Sequence, residues 1–73
     1  MIASRTARRA DLDLIASGSW VKAGRKTYRH ASGIVVRYDH NRFTWEIVGG
    51  AEDGYHYTTL TVAAHSATRH LAA

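Results

Sequence analysis

The chain contains no cysteine and no proline. Without cysteine there is no disulfide framework and no thiolate to act as nucleophile or metal ligand, a composition that fits a reducing compartment. Without proline, no slow prolyl isomerisation step enters folding. Acids are few, six against ten lysines and arginines. No run reaches the ~18 apolar residues that mark a transmembrane helix. Arg5, Arg8 and Arg9 make a basic start, but Asp11 and Asp13 follow where a signal peptide would place its apolar core. A cytoplasmic location and no membrane contact are therefore expected.

What is present bounds the answer further. Seventy-three residues with 45% hydrophobic content make one small domain, 1–73, with a thin core rather than a disordered chain. Domains of this size are marginal, so a monomer and a homodimer both stay open. The formal net charge is +4, and it is unevenly spread. Residues 1–19 carry +1, residues 20–48 carry +4 and residues 49–73 carry −1. A basic excess of this kind can meet phosphates, and it also keeps a protein away from zero charge.

The stretch Arg25 to Val48 reads as three strands joined by two tight turns. Ala31-Ser32-Gly33 suits a three-residue hairpin loop with Gly33 left-handed, which sets His30 opposite Ile34 and Tyr28 opposite Val36. Asp39-His40-Asn41-Arg42 suits a four-residue loop, which sets Phe43 opposite Tyr38, Trp45 opposite Val36 and Ile47 opposite Ile34. The alternation then gives one apolar face, holding Tyr28, Tyr38, Phe43 and Trp45, and one polar face. Trp20-Val21-Lys22 is either a fourth, edge strand or a chain lying on the core, with Trp20 as a core plug.

Helical spacing brackets the sheet. Residues 7–17 carry Leu12, Ile15 and Ala16 at helical intervals and Gly18 at a C′ position, with 1–9 alternatively a mobile basic tail. Thr58 to about Ala72 reads as the main helix, capped by Thr58 or Thr59. Its stripe is Leu60, Ala64, Ala67 and Leu71, with Ala63 beside it. Small residues there let the helix lie close to a sheet crowded with aromatics. The expected fold is α+β: an N-terminal helix, a three-stranded antiparallel sheet with the option of a fourth edge strand, and a C-terminal helix on one face of the sheet.

Motifs for chemistry are thin. Gly49-Gly50-Ala51-Glu52-Asp53-Gly54 reads as a flexible surface loop, because it lacks the Lys-Ser/Thr of a P-loop and carries two carboxylates that repel phosphate. His65 and His70 are five apart and so sit on different faces of a helix. No HExxH occurs, and no spacing singles out a nucleophile or an acid/base pair. Neither enzyme activity nor a metal or cofactor is expected. What remains is the polar sheet face, with Thr27, Arg29, Val35, Arg37 and Thr44 on it and Lys22, Arg25 and Arg42 as a rim. With the aromatics turned inward, no ring interleaves with the arginines, so stacking on single strands is not expected.

Two resemblances attach to these residues. Three antiparallel strands and a packing helix, with Trp45-Glu46-Ile47 on a strand and Thr59-Leu60 opening an alanine-rich helix, resemble AP2-type and integrase arm-type DNA-binding domains over roughly residues 25–72. Arg37 is the one arginine on the second strand, where those domains carry several. The segments WVKAGRKTYRHASGIVVRYDHN and YTTLTVAA resemble small orphan proteins of phages of high-GC actinobacteria, which implies an accessory product that binds host or phage macromolecules. The expectation is a non-enzymatic binding protein acting through a protein partner. The alternative is a DNA-binding module that uses the basic outer face.

Overall fold

A computed structural model describes residues 14–15 and 18–71. Five strands form one antiparallel meander in chain order: β1 (Trp20–Gly24), β2 (Thr27–His30), β3 (Val35–Asp39), β4 (Thr44–Val48) and β5 (His56–Tyr57). One helix, α1 (Leu60–Arg69), packs on the sheet. The α+β class, the antiparallel sheet and the C-terminal helix are as expected. The strand count is five rather than three: β1 is the optional edge strand at Trp20-Val21, and the further strand, β5, emerges from a segment that reads as loop. The expected N-terminal helix over 7–17 lies outside the described residues except for Leu14 and Ile15, which are helical. The basic tail, 1–9, lies outside them entirely.

The first hairpin has the expected register, with Tyr28 opposite Val36 and Arg29 opposite Val35. Gly33 closes its loop at φ +98, a conformation that costs glycine no Cβ clash. The second hairpin differs. Tyr38 pairs with Trp45, Val36 with Ile47 and Asp39 with Thr44, so the loop is His40 to Phe43 and the register is displaced by two residues from the expected one. Asp39 accepts from the Asn41 N–H at 2.9 Å, and Phe43 takes φ +56 to complete the turn. An even displacement leaves every strand residue on its expected face. Phe43 alone changes fate: instead of facing the core it is 75% exposed.

The core lies between the sheet and the helix: Trp20, Tyr28, Ile34, Val36 and Ile47 against Leu60, Ala63, Ala64 and Ala67. The Thr59 side chain accepts from the Val62 N–H and fixes the helix start at Leu60, which decides between the two expected caps. The helix ends at Arg69 rather than near Ala72, so Leu71 lies beyond it and is exposed instead of extending the stripe. Alanines on the inner side let the axis approach a sheet whose large side chains supply the volume.

Loop 49–55 is tied to β4 at both ends of its reach. Ile47 donates to the Tyr55 carbonyl at 2.9 Å, Gly54 donates to the Ile47 carbonyl at 2.8 Å, and the Asp53 carboxylate accepts from the Gly49 N–H at 2.7 Å. Gly50 lies at φ +76, and a Cβ there would stand 2.9 Å from Ile34 Cδ1. Gly50→Ala is therefore expected to lower stability by about 1–3 kcal/mol, combining backbone strain with a crowded core side chain. Gly54→Ala, with similar φ but open space around it, should lose less. Urea midpoints at unchanged slope measure both.

Candidate binding surface

The outer face of the sheet, away from α1, is built in cross-strand rows. One row runs Val21, Arg29, Val35, Val48. The next runs Gly24, Thr27, Arg37, Glu46, His56. Asp39 and Thr44 form a third.

The middle row is satisfied within itself. Arg37 Nε donates to Glu46 Oε1 at 3.1 Å, and His56 Nε2 lies 3.9 Å from the other carboxylate oxygen. The Thr44 hydroxyl is bonded to His56 Nδ1 at 2.8 Å. Thr27 turns its hydroxyl back on the Arg25 carbonyl at 2.9 Å. The bond engages one of the five N–H donors of Arg37, but the Glu46 carboxylate beside it offsets the charge and repels a phosphate.

The first row is different. Val21 is 52% exposed, and Val35 and Val48 are half-buried. Among them Arg29 is exposed and has no side-chain ion pair or hydrogen bond among the described residues. Beside it an open depression of ≈ 450 Å³ is lined by Gly18, Ser19, Val21, Arg29, His30, Ala31 and Gly33. His30, at the sheet end, is held by its own loop: Nδ1 accepts from the Ser32 N–H at 3.1 Å.

The expected site residues are thus divided. Thr27, Arg29, Val35, Arg37 and Thr44 share the outer face. Lys22 does not join them, since it pairs with Tyr28 and lies on the helix side, its Nζ 6.0 Å from the Tyr28 ring centre. Arg25 sits in the β1–β2 turn. Arg42 sits in the β3–β4 loop, 4.0 Å from the Asp39 carboxylate.

A second cluster has no counterpart in the sequence expectations. Glu52, in the loop expected to be a flexible surface segment, is only 4% exposed. Ser66 and Tyr57 hydroxyls both approach Oε1 at 2.5 Å and stand 2.7 Å from each other. Arg69 Nη2 donates to Oε2 at 2.8 Å, and His70 Nε2 lies 2.9 Å from the same oxygen. Hydrogen bonds from Ser66, Tyr57 and His70, joined by Arg69, outweigh the opposing effect of burial and bring the Glu52 pKa down to about 2. The carboxylate is fully engaged, so this is a clamp joining the loop to the end of α1. The sequence signal that could have found it is charge: the acids of the loop stand against Arg69 and His70 at a helix end.

Among the described residues, no group of three or more His, Cys, Asp or Glu is placed to hold a metal ion. No helix among them is long and apolar enough to cross a membrane. Set against protein-family models, curated proteins and solved structures, the chain matches none.

Proposed function

We propose that the chain is a non-enzymatic binding domain whose outer sheet face docks a protein partner. The observation that carries this is the row of Val21, Val35 and Val48 around the exposed guanidinium of Arg29, which has no partner among the described residues, with a depression beside it. Aliphatic surface around an exposed arginine fits a segment presenting a carboxylate flanked by apolar side chains. The resemblance to phage accessory proteins adds the expectation that the partner is a bacterial or phage macromolecule.

Duplex DNA on the same face is the second reading, supported by the +4 charge of residues 20–48. It asks most of Arg29 and Arg37, and Arg37 is already paired with Glu46. The two readings separate by mutation. With a protein partner, Val35→Asp and Arg29→Glu each weaken recovery of the partner at least about tenfold, as expected for residues near the centre of an interface. Arg37→Ala has a small effect. With DNA, mobility shifts weaken steeply with salt, and the double change Arg29→Glu and Arg37→Glu abolishes them. Monomeric behaviour in light scattering together with no recovered partner would sink the protein reading.

A further inference from the structure

In an antiparallel meander, alternate turns fall at the same end of the sheet. One end therefore collects the β1–β2 turn, Arg25-Lys26, and the β3–β4 loop, His40 to Phe43. The opposite end holds loop 31–34 and the Glu52 clamp. Among the described residues the first end carries Arg25, Lys26 and Arg42 against one acid, Asp39, whose carboxylate lies 4.0 Å from Arg42.

Its rings are arranged around those cations. Lys26 Nζ lies 4.7 Å from the centre of the Tyr38 ring. His40 and Trp45 meet Tyr38 edge-on, with centroids 5.0 and 5.2 Å away. Phe43 projects from the loop beside Arg42, three-quarters exposed.

Backbone conformation marks the same place. Among the described residues only two other than glycine have positive φ, Lys26 at 48° and Phe43 at 56°. Both are at this end. A left-handed residue other than Gly, Asn or Asp is unfavourable, and for a bulky side chain it is uncommon. Phe43 carries that strain and leaves its ring in water, so neither the turn nor the core explains a phenylalanine here. Strain with no local return is characteristic of positions kept for contact with something else.

We propose that this end of the domain is a contact site for single-stranded nucleic acid, with Phe43 stacking on a base and Arg25, Lys26 and Arg42 meeting phosphates. A ring that has an unoccupied face, set among cations, is the chemistry by which unpaired bases and their backbone are held together. Duplex fits less well, since its bases offer no free π-face. An acidic polypeptide would satisfy the cations but give Phe43 no planar partner. The site is separate from the outer sheet face and stands or falls apart from it.

The test uses the full chain, a fluorescein-labelled oligothymidylate, the same oligomer annealed to its complement, and polyglutamate as competitor, read by anisotropy. Single strand is expected to bind more tightly than duplex, and binding should weaken as salt rises. Phe43→Asn should cut affinity about tenfold, the loss of one stacked base. Its melting temperature should hold or rise, because asparagine tolerates the left-handed conformation. Arg42→Glu should lower both affinity and salt slope. The site is overturned by no binding at low salt, by equal affinity for duplex, or by an unchanged Phe43→Asn. Polyglutamate displacing the strand as well as unlabelled oligothymidylate does at equal charge would also overturn it, in favour of a protein ligand.

Discussion

Replacing Glu52 by alanine is expected to be the most damaging change outside the hydrophobic core. The side chain is buried, and Ser66, Tyr57, Arg69 and His70 all converge on it. Removing it leaves the Ser66 and Tyr57 hydroxyls with one acceptor fewer between them and frees loop 49–55 from α1. The protein should lose cooperative unfolding or show a midpoint as low as that of a core truncation. Arg69→Ala should cost far less, because that side chain is mostly in water. The pH dependence follows from the same contacts. The folded pKa, about 2, lies below the ordinary value of 4.5. The stabilisation is therefore complete above pH 4.5 and is lost as pH falls through about 2. Thermal melts across that window should show wild type falling and Glu52→Gln, lower at neutral pH, falling less, so that the two converge in acid. Parallel curves would show that the carboxylate is not held as described.

Ile47→Ala is the second large effect. Ile47 is fully buried, opposite Val36 and under the helix. Truncation of a buried isoleucine costs about 2–5 kcal/mol. A chain of this length has a total stability of roughly 4–11 kcal/mol, so the variant should melt about 10 °C lower or more, or not fold. The register has its own check. Tyr38 and Trp45 are direct cross-strand partners with ring centres 5.2 Å apart. A double-mutant cycle to leucine at both positions should give a coupling of about 0.5–1.5 kcal/mol. Additive effects would favour the register displaced by two residues, in which the rings are not opposite.

The first hairpin was legible because Gly33 is the one residue of its loop suited to positive φ. The second was not. Its left-handed position is filled by Phe43, which announces nothing in sequence, while Asp39 and Asn41 advertise a loop over 39–42, one position before the loop that forms. The faces were still sorted correctly, since alternation has period two and the displacement is even. Phe43 alone differs, since the alternation puts it in the core and it stands in water. Glu52 was illegible for another reason. An acid among three glycines reads as surface, and the partners that bury it, Ser66, Arg69 and His70, come 14 to 18 residues later. The side on which Lys22 falls is not legible in sequence, because Trp20-Val21-Lys22 is too short to fix its pairing. The pairing Val21 with Arg29 sends Lys22 to the other side.

The outer face is less basic than its sequence suggests. Arg37 is bonded to Glu46, and Arg29 is left among valines. A face neutralised at its centre and apolar at its flank suits a protein better than a duplex. Affinity recovery with the immobilised chain, run with and without nuclease and repeated with Val35→Asp, tests this most directly. A protein that survives nuclease and is lost with Val35→Asp is the predicted result. Recovery of no protein that survives nuclease, or of one retained undiminished by Val35→Asp, would contradict it.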